Sequence, residues 1–280
     1  MNSLVIFGLL ILLFIRLLAL GISIEFFMGK NRFRFKFFII GWTIWALAAI
    51  FAIIGSIYEN GIIMESMFVL NGISASIGAI VVVMGFRTYF RQVPIRLLAI
   101  ICILLITVPL IVSIIGYEYA VRFSSIMLYL FILSLVIMGI IDRKDYKSIG
   151  GYSYIWLYVS VFLGAIIIVI LISLLIGGYQ YGLYGETDDV AIIVNYFFGI
   201  GITTLFLILM IHLEHTITNQ EKFQLKDSYS HNLGNIIQVI FSASLLTGMG
   251  KTAKEESEKL QLIQKKCNEA SEVIKEIRKL

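Results

Sequence analysis

Apolar residues fall into seven long runs, at about 4–28, 37–58, 62–86, 95–116, 123–141, 152–177 and 190–212. Crossing a bilayer core takes about 20 helical residues, so the pattern predicts seven transmembrane helices. Past the last run the pattern becomes one-sided. Leu233, Ile236 or Ile237, Ile240 and Ala243 or Ser244 recur three or four residues apart, the mark of an amphipathic helix. No proline or turn cluster interrupts the chain from Tyr196 to about Leu246. One long helix is therefore expected to leave the membrane and carry this stripe, with Gly234 a mild interruption worth about 1 kcal/mol. His231 lies off the stripe and should face solvent. From Ala253 a second pattern begins. Leu260, Ile263, Cys267, Ala270, Ile274 and Ile277 form a heptad seam. Two such helices joined by a short turn bury their stripes poorly alone, and a dimer that makes a four-helix bundle solves this. The expected fold is an all-α membrane protein, with seven transmembrane helices followed by a cytoplasmic two-helix hairpin that dimerises. Its parts are a membrane domain at 1–212, a linker helix at 213–226 and the hairpin at 227–280.

Composition agrees with the pattern. Of the 280 residues, 59% are hydrophobic and 14% charged, against about 25% charged in a soluble domain. Mean hydropathy is +0.95. The net charge of +4 matters less than its placement. Lys30, Arg32, Arg34 and Lys36 fill one loop, Arg87, Arg91 and Arg96 the next on that side, and Arg143, Lys144 and Lys147 the third. The opposite side has Arg122 with Glu59, Glu65, Glu118, Glu186, Asp188 and Asp189. Basic loops stay cytoplasmic. The chain is thus expected to be a multi-pass protein of the cell membrane, with its N-terminus outside and its C-terminus cytoplasmic. No basic region precedes the first run, so it reads as an anchor and not a cleaved signal. From Glu221 onward ten Lys and Arg stand against eight Asp and Glu, as on a solvated helix pair. The lipid bilayer is the expected environment, and nucleic acid is not an expected partner. Cys102 and Cys267 form no CxxC and fall in different parts of the chain, so neither a disulfide framework nor a metal site is expected.

Several polar residues sit inside the apolar runs. Arg16 is near the middle of the first, with Glu25 nine residues on. An intramembrane charge costs about 2.5–3.5 kcal/mol on insertion scales. Arg16 either serves a ligand or coupling site, or it snorkels or pairs. Asn71 and Asn195 can bond between helices or contribute to intramembrane sensing. Gly72, Ala75, Ser76 and Ala79 form a small-residue stripe suited to close helix packing. Pro109 predicts a kink in the fourth helix and Pro94 suits its start. The outer loop from Gly177 to Asp189 is too short for a folded domain, so a stimulus would be read by the bundle, the small loops or the bilayer. Thr247-Gly-Met-Gly-Lys-Thr252 ends like a phosphate loop, but Leu245 stands where that motif needs glycine and no strand precedes it. It reads as an interhelix turn.

The segment Ser228-Tyr-Ser-His231-Asn232-Leu-Gly-Asn235-Ile-Ile-Gln-Val-Ile240, its turn and the second heptad helix resemble the dimerisation and phosphoacceptor domain of two-component sensor histidine kinases. The likeness covers about 50 residues, from Asp227 on. The seven spans resemble the membrane sensor regions of some such kinases in architecture alone. The resemblance implies that His231 accepts a phosphoryl group on a ring nitrogen. Asn235, one turn later, matches a polar position that can orient a hydrolytic water. Asn232 stands where the family usually has an acid that orients the imidazole and takes its proton. The implied partners are a second copy of the chain, paired through the hairpin, and a response-regulator receiver domain. The family's kinases continue into an ATP-binding domain that these 280 residues do not contain. No cofactor is expected in this chain, and ATP would act only through a separate or missing catalytic domain, supplied in trans. The alternatives are a transporter or channel with a dimerising tail, and a membrane scaffold. A retinal-binding protein needs a lysine in the seventh span, and 190–211 contains none.

Overall fold

The computed structural model describes residues 3–30, 34–58, 61–89, 91–141, 164, 166, 189–247 and 253–278. Seven helices are found among them: α1 (Ser3–Lys30), α2 (Arg34–Ile57), α3 (Ile62–Arg87), α4 (Ile95–Ser113), α5 (Tyr117–Ile141), α6 (Asp189–Thr247) and α7 (Ala253–Arg278). The described residues contain no strand. Six of the helices, α1 to α6, are long and apolar enough to cross a membrane. These six mark a multi-pass membrane protein. The expected span at 152–177 lies outside the described residues except for Gly164 and Ile166, as does the outer loop up to 188. The expected seventh span is the first part of α6, which continues without a break to Thr247.

Contacts divide the chain into two compact units, 1–211 and 212–280. The first is built around α3, of whose most apolar window 78% is buried, against 11% for α4. The small-residue stripe explains the central place of α3. A Cβ on Gly78 would come within 2.9 Å of the Trp45 backbone nitrogen, so α2 and α3 meet backbone to backbone. A Cβ on Gly72 would lie 2.9 Å from Ser124 Cβ, which brings α5 equally close. Ser76 Oγ then donates to the Ser124 carbonyl at 2.7 Å, a side-chain bond between α3 and α5. Pro94 caps α4 as its position suggests, and Pro109 lies buried inside that helix, which stays helical to Ser113. Glu65 and Glu118 occupy the first turns of α3 and α5, and Arg87 the last turn of α3, each matching the helix dipole.

On α1 the buried side chains are those of Leu9, Leu12, Arg16, Ala19 and Ser23, with Gly8 buried beside Leu9. Their spacing of three and four makes one inward stripe. Leu9 and Leu12 pack with Ala52 of α2 and Ile200 of α6. Phe206 of α6 lies between Trp45, at 6.1 Å, and Phe86, at 5.6 Å between ring centres. The basic ends of α2 and α3 also meet, with the Arg34 guanidinium 4.4 Å from the Tyr89 ring centre.

In the second unit α6 starts with Leu213 and Glu214 fully buried, and beyond 220 its least exposed positions are Tyr229, Leu233, Ile236, Ile240 and Ala243. The structure thus selects Ile236 and Ala243 from the two alternatives in the sequence, and Ile237 stays 55% exposed. The seam on α7 splits in two. Ile263, Ala270 and Ile277 are half-buried, whereas Leu260, Cys267 and Ile274 are exposed. Lys259 Nζ donates to the Leu246 carbonyl at 2.7 Å. That bond satisfies one of the open carbonyls at the end of α6 and places a cation at its negative pole.

Candidate functional site

His231 is exposed on α6, off the buried stripe. The stripe at 229, 233, 236, 240 and 243 turns the opposite side of the helix outward, and that side carries His231 and Asn235. Four residues apart on a helix, their side chains meet, and Asn235 Nδ2 lies 3.3 Å from His231 Nδ1. Asn232 is also exposed, one position round the helix.

The contact has two chemical forms. With the amide NH₂ donating to Nδ1, the ring proton sits on Nε2. With the amide turned by half a rotation, Nδ1–H donates to Oδ1 and Nε2 presents its lone pair to solvent. The two orientations of an amide are close to isosteric, so Asn235 can hold either tautomer. Only the second makes Nε2 nucleophilic. Asn232 offers no group that accepts a proton at neutral pH.

A second pair of the same kind was missed in the sequence. Asn219 Nδ2 lies 2.9 Å from His215 Nε2, again four residues apart and exposed. The His-x-x-x-Asn spacing alone would have found it. It differs in place, since His215 follows the apolar run by a few residues, whereas His231 lies four turns further along.

The polar residues expected inside the membrane are brought together only in part. Arg16 is 8% exposed and does not snorkel. Its Nη1 donates to the Trp45 carbonyl at 2.7 Å, and its guanidinium carbon lies 4.9 Å from the Trp45 ring centre. Glu25 is exposed on the other side of α1. Nine residues is two and a half turns at about 3.6 per turn, so the two side chains diverge. Asn71, 2% exposed, lines the same cavity as Arg16. Asn195 lies on α6, with its side chain outside the described residues. No group of His, Cys, Asp and Glu that could hold a metal ion occurs among the described residues.

No protein-family model, curated protein or solved structure matches this chain.

Proposed function

We propose that this chain is a membrane sensor of a two-component relay that passes its signal along α6 to a phosphoacceptor, His231. The observation that carries the reading is α6 itself. One helix of 59 residues holds both an apolar stretch of membrane length and His231. Rotation, bending or sliding of its membrane part is felt at the histidine without any intervening joint.

In the proposed chemistry, Asn235 accepts Nδ1–H and leaves the Nε2 lone pair free. Nε2 attacks the γ-phosphorus of ATP held by a catalytic domain in trans, and the bond to the bridging β–γ oxygen breaks. The phosphorylated ring is briefly cationic and loses its Nδ1 proton to water. A receiver domain then takes the phosphoryl group from the exposed face.

Dimerisation is supported by the divided seam on α7. Half of it is covered within the chain, and Leu260, Cys267 and Ile274 are left exposed. The bond from Lys259 to Leu246 supports a hairpin, since it ties α7 back to the end of α6. An N-out, C-in topology is supported by the basic loops and by the contact of Arg34 with Tyr89, which puts two of those loops at one end of the bundle.

The test is phosphotransfer from an isolated histidine-kinase catalytic domain to the chain in nanodiscs with labelled ATP. Acid-labile label that needs the added domain and is lost in His231→Gln is the expected result. No label, with a domain that phosphorylates an intact kinase, would favour a scaffold whose seam serves only to dimerise, or a transporter.

A further inference from the structure

Three helix ends converge at the basic end of the first unit. Val93, just before α4, and Leu98 in its first turns pack on the cluster of Ile80, Val81, Met84 and Leu105, as does Phe37 of α2. The Arg34 guanidinium meets the Tyr89 ring beyond the end of α3. Arg34, Lys36, Arg87, Arg91 and Arg96 therefore lie around one end of the bundle. Glu65 and Glu118 lie at the other, in the first turns of α3 and α5, where Val69 and Ile73 pack with Ala120.

Pairing within this unit does not cancel the charge. Arg34, Lys36 and Arg91 have other interactions within the chain. The sequence, however, gives this side of the first unit ten Lys and Arg in its loops and helix ends, against three acids, Glu25, Asp142 and Asp145. Ten less three leaves seven cations in excess even when every one of those acids is paired.

Arg96 heads a stripe that suits a lipid. It is exposed in the first turn of α4, where a cation opposes the helix dipole, so the helix itself gains nothing from it. Ile100, Ile103 and Leu110 follow at steps of four, three and seven along the same face. They are 55%, 59% and 47% exposed, and α4 is the least buried of the six spans. From Ile100 to Leu110 the helix rises about 15 Å, which is the depth of one leaflet of a core about 30 Å thick. A cation at the rim with an uncovered apolar wall of that depth beneath it matches a phosphodiester headgroup above an acyl chain. A soluble anion would leave the wall unused.

We propose that this face binds an anionic glycerophospholipid of the adjoining leaflet. The headgroup phosphate sits at Arg96, within the field of the surrounding cations, and an acyl chain lies along Ile100, Ile103 and Leu110. Each Lys or Arg at a membrane surface contributes about a fivefold preference for anionic lipid. The binding does not rest on the phosphoacceptor reading. Under the proposed orientation the leaflet is the cytoplasmic one.

The test is native mass spectrometry of the full chain, released from micelles that hold equal amounts of phosphatidylglycerol and phosphatidylcholine with the same acyl chains. Retained phosphatidylglycerol should exceed phosphatidylcholine by about fivefold or more, and the preference should fall as salt rises. Arg96→Gln should cut the preference by about fivefold, and Arg96→Glu, which reverses the charge, by still more. Both variants alter an exposed side chain, so helix content and melting temperature should hold. Arg122→Gln, at the acidic end, should leave the preference unchanged. Equal retention of the two lipids, or an equal loss in Arg122→Gln, would overturn the assignment. A preference unchanged in Arg96→Glu would also overturn it, by placing the lipid on other cations of the chain. Displacement of the lipid by glycerol 3-phosphate would do the same, by showing a site for a soluble phosphate. None of these results bears on label transfer to His231, so failure here and failure of the relay reading are distinguishable.

Discussion

At the residue scale the account turns on His231 and its two amides. Asn235 meets Nδ1 at 3.3 Å and can fix the tautomer that leaves Nε2 nucleophilic. Asn235→Ala should therefore slow labelling by about tenfold, through loss of ring orientation and not of the nucleophile. Asn232 cannot take a proton. Asn232→Asp supplies a carboxylate at the position where it would orient and deprotonate the ring. Initial labelling rates should rise, on the order of 10²-fold, at the low end for a positioned general base. An unchanged rate would show that the Asn232 position has no part in proton transfer. His215 has its own amide partner in Asn219, so His215→Gln is the control, and it should leave the rate unchanged.

At the element scale the close approach of α2 and α3 is the feature most sensitive to size. Gly78→Leu would drive a side chain into the Trp45 backbone. Overpacking of this kind costs about 1–3 kcal/mol, and thermal unfolding in detergent should show a clear fall. Gly201 meets nothing within 4 Å, so Gly201→Ala should hold or slightly raise stability. Much of this was legible. The first four apolar runs gave the ends of α1 to α4 to within about three residues, α5 starts six residues before its run, and the small-residue stripe on α3 announced close packing. The inward stripe of α1 was also present as Leu9, Leu12, Arg16, Ala19 and Ser23, and it shows why Arg16 points into the bundle and Glu25 away from it. The division of the α7 seam was not legible. Both halves are apolar, and which half is covered depends on the partner and not on period. The cavity lined by Arg16 and Asn71 was out of reach for the same reason, since five helices contribute to it.

At the scale of the whole molecule, topology and assembly follow from the two units. The proposed orientation puts α7 in the cytoplasm, where a cysteine introduced by Glu258→Cys in a Cys267→Ser background stands exposed and off the seam. A membrane-impermeant thiol reagent should modify it only after right-side-out vesicles are permeabilised. Modification in sealed vesicles would reverse the topology. The exposed half of the seam should make the chain a dimer in nanodiscs or mild detergent. Leu260→Glu with Ile274→Glu should shift its mass to the monomer with helix content retained, because charge at seam positions opposes pairing. The central claim, that α6 delivers its signal to a phosphoacceptor, is tested most directly by locating the phosphoryl group. The measurement is mass spectrometry, under neutral conditions, of the wild-type chain labelled by an added catalytic domain. The account predicts one phosphorylated site, on the peptide that carries His231. Phosphate on His215 or His212 instead, or none on any histidine when the domain is active, would contradict it.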